Sequence, residues 1–517
     1  MRHAQTQRLV TIIAGGMLVA LCTSFSGFAS SDTSAPKKNQ FLMSNLGSIN
    51  FSNSGSTAAQ QAFLTGVKAL HSFQFDEAGT AFKLAQEIDP SFALAYWGEA
   101  MSYNHPLWAQ QNLDLALTAL SRFAPTPEAR AQKILAGRER DLMRAVDVLY
   151  GRGEKLARDI AYAETMRELH EAYPGDDEIA TLYALSLLGT VRPGDTGVQR
   201  QMKAAAVALA VFGRNPRHPG AAHFIIHAFD DPEHAILALP AAQIYADIAP
   251  DAPHALHMPS HIFLQLGMWE KVVNSNAASY EAEISLAINK GLERGRTEFH
   301  SLSWLMYGHL QIGNLDEAKD IIKIAKQTVQ DYPSVRTRNG FLSMLARYVV
   351  EAERWDEIAS YELGSRDNNN SDIQYAIGLN AIQQGDILAA KRAAASIQSA
   401  RKNASGRANG TYRAKIIAVI EKELLAAIAV DSGRTLEAER LLQEAVAIEK
   451  TLNAPSGPPQ PMQPSFESYG AFLLNAGRLE EATEQFKLAL QRSPNRAISM
   501  RGLKSARAAA AFNSTLH

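Results

Sequence analysis

Small, aromatic and proline residues recur along the chain at fixed positions within blocks of 34 residues. In residues 59–92 they are Gly66, Ala78, Phe82, Ala85 and Pro90, at offsets 8, 20, 24, 27 and 32. Small residues at 8, 20 and 27 let two antiparallel helices approach closely, and the phenylalanine fills the space between them. The proline ends the second helix, because it cannot continue the helical hydrogen bonds. The pattern therefore predicts helix–turn–helix units.

The same spacing returns clearly in residues 463–496 and keeps its register in 371–404 and 419–452, with weaker copies at 299–332 and 339–372. Strand-like alternation of apolar and polar residues is scarce, so a sheet domain has little support. The ladder resembles the tetratricopeptide repeat (TPR), a helix pair of 34 residues. We expect an all-α protein, a TPR-type α-solenoid of stacked helix pairs.

The N-terminal residues predict export. Arg2 and Arg8 precede an apolar run of 13 residues, 9–21, and small residues suit cleavage after Ala29. The run is shorter than the ~20 residues that span a membrane, so no stable membrane span is expected after cleavage. The predicted location is periplasmic or secreted. Lipidation of Cys22 and an uncleaved signal are the alternatives.

The repeats and composition shifts divide the chain into seven segments. They are a signal peptide (1–29), a flexible leader (30–57), an N-terminal TPR and irregular helical region (58–215), a His-rich TPR region (216–335), a TPR region (336–452), a Pro-rich break (453–462), and a C-terminal TPR with a capping helix (463–517).

Composition narrows the functional classes. The chain has 51 Lys+Arg and 53 Asp+Glu, a net charge of −2, so it lacks the basic excess that nucleic acid binding requires. Hydrophobic residues make up 46%, which excludes wholesale disorder. The single cysteine, Cys22, excludes a disulfide framework and a cysteine-based metal site.

Histidines are concentrated between residues 218 and 261. His223 and His227 stand at offsets 5 and 9 of one block, and His257 and His261 stand at the same offsets of the next. A spacing of i, i+4 puts both rings of a pair on one helix face. Equivalent offsets on consecutive helices put the two faces side by side, so we expect the four imidazoles to converge on one point.

Four such imidazoles suit a transition metal, with zinc or copper best matched to nitrogen ligands. Additional candidates for the site are His254, His300, Glu298, Asp230 and Asp231. The alternative is a hydrogen-bonded polar ladder that shapes the groove or contacts a peptide. Pro259 lies inside the second pair, so either the helix bends there or it begins near Pro259.

The strings HPGAAHFIIHAFDDPEHA and HALHMPSHIFLQLGMW resemble a family of exported bacterial TPR proteins with an H-x3-H followed by an H-x2-H-x3-H signature. The resemblance covers His223, His227, His254, His257 and His261, and it implies no particular reaction. The sequence thus predicts a metal-binding scaffold for a ligand, or for a protein or peptide in the concave groove. A metal-dependent enzyme, a hydrolase or an oxidoreductase with the histidines as its active site, is the alternative.

Overall fold

The computed structural model describes residues 43–292, 299–361, 363–406 and 410–515. The predicted signal peptide with Cys22, the first part of the predicted leader, and Glu298 lie outside the described residues. Among the described residues, no helix combines the length and the apolar character that a bilayer span requires.

The described residues form 24 α-helices and one two-stranded antiparallel ribbon. The elements of the first half are α1 (Gln60–His71), α2 (Phe75–Ile88), α3 (Ala93–Ser102), β1 (Asn104–His105), β2 (Gln110–Gln111), α4 (Leu113–Phe123), α5 (Pro127–Lys133), α6 (Arg138–Leu149), α7 (Lys155–Ala172), α8 (Asp177–Leu188), α9 (Gln199–Arg214), α10 (Pro219–Ala228), α11 (Ala235–Ile248), α12 (Pro253–His257) and α13 (Pro259–Gln265).

The described residues of the second half contain helices joined by loops, and no strand. Its helices are α14 (Trp269–Lys290), α15 (Phe299–Gln311), α16 (Leu315–Asp331), α17 (Val335–Glu351), α18 (Ser371–Gln383), α19 (Ile387–Ser405), α20 (Gly410–Asp431), α21 (Thr435–Glu449), α22 (Ser465–Asn475), α23 (Leu479–Arg492) and α24 (Ala497–Thr515). Short 3-10 helices occupy Thr57–Ala59, Pro106–Trp108, Trp355–Ser360 and Ser365–Asn369.

Consecutive helices pack as antiparallel pairs, and the pairs stack. The pairs α1/α2, α18/α19, α20/α21 and α22/α23 coincide with the blocks at 59–92, 371–404, 419–452 and 463–496. The predicted all-α solenoid is confirmed. The weak copy at 339–372 differs from the pattern, because the 3-10 helix Trp355–Ser360 stands where a second α-helix was expected.

A phenylalanine between two glycines explains the spacing of the ladder. The Phe82 ring is fully buried between Gly66 and Gly98, where an added Cβ would lie 2.8 and 2.3 Å from it. Phe486 holds the same position near the other end of the chain, between Gly470 and Gly502. Each ring therefore fills the space that two glycines leave, and it joins one helix pair to the next.

The second part of the predicted flexible leader is ordered against the repeats. Residues 43–56 form no helix, but Phe51 is buried with its ring 5.2 Å from that of Phe63 and 5.8 Å from that of Trp97. The Arg138 guanidinium lies 4.4 Å from the Phe51 ring centroid. Burial of these apolar groups outweighs the Ser/Asn/Gly-rich composition on which the expectation of flexibility rested.

The C-terminal repeat packs against the middle of the chain through a buried arginine. Arg496 is fully buried, with an Nη1–Oε1 distance of 2.6 Å to Glu351 and an Nε–Oε2 distance of 2.9 Å to Glu467. Close by, the Trp269 indole donates a hydrogen bond to the carbonyl of Asn495 at 3.0 Å. These contacts hold the last helix pair to α14 and α17, far earlier in the chain.

Replacing Gly502 with alanine should destabilise the protein by about 1–3 kcal/mol, because the added methyl overpacks the Phe486 contact at 2.3 Å. Gly213→Ala is the matched control: this helical glycine has no neighbour within 4 Å of the added Cβ. Alanine should stabilise that helix by up to about 1 kcal/mol. Urea denaturation measures both, and equal effects of the two variants would contradict this account of the ladder.

Candidate metal centre

The structure gathers six histidines into two groups of three. The first trio is His223, His227 and His254, and the second trio is His257, His261 and His300. These residues lie on α10, on α12 and α13, and at the start of α15, which are the first helices of three successive pairs. Because α12 and α13 together occupy one first-helix position, stacking of the repeats places the histidines on three neighbouring positions of the solenoid.

In the first trio, the Nε2 atoms converge. His223 Nε2 lies 3.1 Å from His254 Nε2 and 3.1 Å from His227 Nε2. His223 is fully buried, and its Nδ1 lies 2.7 Å from the carbonyl oxygen of His71. A carbonyl can only accept, so the Nδ1 carries the proton and donates it. The Nε2 of a neutral His223 is then a bare lone pair that faces the other two rings.

The second trio has the same arrangement. His257 Nε2 lies 3.1 Å from His261 Nε2 and 2.9 Å from His300 Nε2. The Nδ1 of His257 donates to Asn276 Oδ1 at 2.6 Å, and the Asn276 amide nitrogen is engaged with the Val272 carbonyl at 2.8 Å. That second contact identifies Oδ1 as the acceptor atom.

His261 is oriented by a carboxylate. Its Nδ1 donates to Asp230 Oδ2 at 2.6 Å, and Asp230 Oδ1 accepts from Gln265 Nε2 at 3.2 Å. Gln265 also donates to the carbonyl of Pro455 at 2.8 Å. The hydrogen bonds that fix His261 thus extend to the Pro-rich break, almost 200 positions later in the sequence.

The two fully buried rings, His223 and His257, are uncharged near pH 7. Burial lowers the pKa of His223 to about 3, and it lowers the pKa of His257 well below the ordinary value, in both cases with a smaller contribution from neighbouring rings. A neutral ring that donates through Nδ1 offers Nε2 as a metal ligand. Nitrogens bound at about 2.0–2.1 Å to a tetrahedral ion lie about 3.3 Å apart, close to the distances within each trio.

Pro259 lies between the two histidines of the second pair without separating them. α12 ends at His257 and α13 begins at Pro259, and Met258 between them keeps helical angles (φ −54°, ψ −36°). The His261 N–H bonds to the Met258 carbonyl, three residues back, instead of four. The helix is thus interrupted near Pro259, and the Nε2 atoms of His257 and His261 still meet.

Aromatic side chains form the walls of both trios. The Phe73 ring centroid lies 4.3 Å from that of His223, and the backbone of Phe73 is left-handed (φ 54°), a conformation that costs a non-glycine residue free energy. The Trp304 ring lies 4.9 Å from His257 and 4.5 Å from His261. Gly457, in the Pro-rich break, lies against Trp304, since an added Cβ would be 2.6 Å from the indole.

The sequence-predicted residues divide between the two trios. His223 and His227 belong to the first and His257 and His261 to the second, so the four do not converge on one point as expected. His254 and His300, considered as additional candidates, complete the trios. Asp230 supports His261, whereas Asp231 bonds to His234 at 2.9 Å and belongs to neither trio.

Sequence reasoning missed the groups that orient and enclose these rings. Asn276 lies on the second helix of its pair, and no histidine pattern points to it. Phe73 lies in the turn after α1, far from the His-rich segment. The sequence could have indicated Trp304, because it follows His300 by four residues on one helix and therefore lies on the same helix face.

A third group with metal-ligating side chains is joined by hydrogen bonds between its own members. His71 Nε2 lies 2.8 Å from Glu178 Oε2, and His218 Nε2 lies 3.2 Å from Glu178 Oε1, all fully buried. His218 Nδ1 accepts from the Ala221 N–H at 3.2 Å, so its proton is on Nε2 and is donated to Glu178. Although burial opposes its charge, His218 and His71 lower the pKa of Glu178 to about 2. The network anchors His71, whose carbonyl holds His223.

Comparisons with known proteins identify neither a family nor an activity for this chain. No family model matches the chain, and no curated protein is similar to it in sequence. Among solved structures, yeast Tom70 is 10% identical, with a TM-score of 0.34, over 88% of this chain and 89% of that one. The TPR domain of P58(IPK) is 12% identical, with a TM-score of 0.23, over 88% and 99%.

The human IFIT1 dimer with m7Gppp-AAAA is 14% identical, with a TM-score of 0.35, over 91% of this chain and 84% of that one. At these identities and TM-scores the neighbours carry no argument about partner, ligand or reaction, and the metal-dependent enzyme that the sequence left as an alternative gains no support from them.

Proposed function

We propose that the protein is an exported TPR-type solenoid that binds transition metal ions through the two histidine trios. The observation that carries the proposal is the pair His257 and His261. Each ring donates through Nδ1, to Asn276 and to Asp230, and the two Nε2 atoms face each other at 3.1 Å. In neutral rings these are two lone pairs, which repel unless a cation lies between them.

The ligand set points to the kind of metal. Six imidazoles and no cysteine suit zinc or copper, and divalent copper binds nitrogen sites more tightly than zinc. Three protein ligands leave a further coordination position for water or a ligand. The proposed role is therefore ligand binding at a metal. A protein or peptide in the concave groove belongs to the proposal as a class of partner, because α-solenoids present extended concave surfaces.

The polar-ladder alternative explains the same histidines less well. A ladder needs facing ring nitrogens paired with complementary groups, as Glu178 is with His71 and His218. When both rings are neutral, His257 and His261 instead present two acceptors to each other, although each has a suitable partner at its other nitrogen. The support from Asn276 and Asp230 is the kind that orients metal-ligating histidines.

The purified full chain should bind zinc or copper after loading and removal of excess metal, as measured by elemental analysis. His227→Ala and His261→Ala remove one ring from each trio, and both residues are only partly buried. Each variant should weaken binding by more than about tenfold, the lower limit for losing even a supporting partner of a ligand. His309→Ala, on α15 but outside both trios, is the control. Negligible metal in the loaded wild type would overturn the proposal.

Asp230→Ala should weaken metal binding by about 10- to 100-fold, because His261 loses the carboxylate that fixes its tautomer. The matched control is the adjacent Asp231→Ala, whose carboxylate pairs with His234 outside the trios. Competition with a chromogenic chelator measures both affinities. If the two variants bind equally well, Asp230 does not support a ligand.

Export is part of the proposal and rests on Arg2, Arg8 and the apolar run that ends before Ala29. Expressed in a Gram-negative host, the chain should lose about 29 residues and be recovered outside the cytoplasm. N-terminal sequencing of the recovered protein measures this. An intact Met1 on protein confined to the cytoplasm would refute it.

A further inference from the structure

The two trios adjoin each other. The ring centroids of His227 and His261 lie 6.0 Å apart, and those of His254 and His257 lie 6.1 Å apart. Inside the first trio, His227 and His254 are separated by 6.3 Å. Rings on either side of the boundary are thus as close as the two most separated rings of the first trio, and about 1 Å farther apart than the rings whose Nε2 atoms meet, such as His223 and His254 at 5.0 Å.

Among the residues that the structure describes, the cluster carries little negative charge to balance cations. Asp230 is the carboxylate that hydrogen-bonds to one of the six rings. The other ring-nitrogen contacts described for the trios go to the His71 carbonyl, to Asn276, to Ser260 and to other imidazoles, all of them uncharged groups when the rings are neutral. Two divalent ions would bring four positive charges to a largely buried site, and buried charge requires compensation.

We infer that the two trios form one dinuclear centre, which binds a small inorganic anion between its two ions. This inference rests on the proposed function. Each trio supplies three nitrogens and leaves a coordination position, and two-metal sites hold their ions about 3.5–4 Å apart. One anion that bridges both ions fills both positions and supplies part of the negative charge that four positive charges beside one carboxylate require.

Divalent copper is the probe for the test, because its unpaired electron reports on a second ion nearby. Copper(II) titrated into the metal-free full chain should reach two ions per chain, one for each trio. The electron paramagnetic resonance (EPR) signal should lose most of its intensity as the second ion binds, because two bridged spins couple. Azide, a small anion, should then produce a charge-transfer band that saturates at one anion per pair of ions.

Variants that empty one trio separate a dinuclear centre from two independent sites. His227→Ala/His254→Ala leaves the second trio intact, and His261→Ala/His300→Ala leaves the first. None of these four residues is fully buried, and the substitutions leave the two fully buried rings, His223 and His257, in place. Each double variant should bind one copper with a full EPR signal. His309→Ala should behave as the wild type.

The outcomes are distinguishable. Two copper ions per chain with the full signal of two uncoupled spins would overturn the dinuclear centre and leave the metal-binding proposal standing. One copper per wild-type chain would do the same. Failure of the wild type to bind copper or zinc at all would remove the proposed function and this inference together.

Discussion

A neutral imidazole carries one proton, and the arrangement of the histidine cluster depends on where that proton is held. At His223, His257 and His261 the acceptor at Nδ1 is a carbonyl, an amide oxygen and a carboxylate, respectively. None of these groups can donate to the ring in its place. The proton is therefore committed on the outer side of each ring, and the lone pairs are directed inward. Helix packing brings the rings together, and these three acceptors determine which ring nitrogens are free to bind a metal.

The repetition of helix pairs brings the six histidines close together. A solenoid sets the first helix of each pair beside the first helix of the next, so residues at equivalent offsets become neighbours without any long connection. His223 and His257 differ by one repeat length and occupy corresponding places in their trios. The third ring of each trio comes from the first helix of the following pair, as His254 does for the first trio and His300 for the second. The site is therefore built across repeat boundaries.

The sequence predicted the helix pairs because Phe82 and Phe486 need small residues at fixed distances along the chain. These residues therefore recur with the 34-residue period that the sequence shows. The i, i+4 spacing, a local rule, also predicted that His223 lies beside His227 and His257 beside His261. The expected convergence of both pairs on one point is not what the structure has. The division into two trios could not be predicted, since it depends on ring orientation and on the interruption at Pro259. Asn276 and the residues around Gly457 were missed because their proximity arises only from tertiary packing.

The contacts of Pro455 and Gly457 with the surroundings of the second trio have a consequence for the order of events during folding. The second trio is walled by Trp304, which lies against Gly457, and Gln265 joins the Asp230 carboxylate to the Pro455 carbonyl. The C-terminal repeat, which follows these residues in the chain, is held to α17 by Arg496. During synthesis all six histidines leave the ribosome before that wall exists. A nascent chain, or one truncated before Pro455, thus carries the six histidines without the contacts that Pro455 and Gly457 make with Gln265 and Trp304.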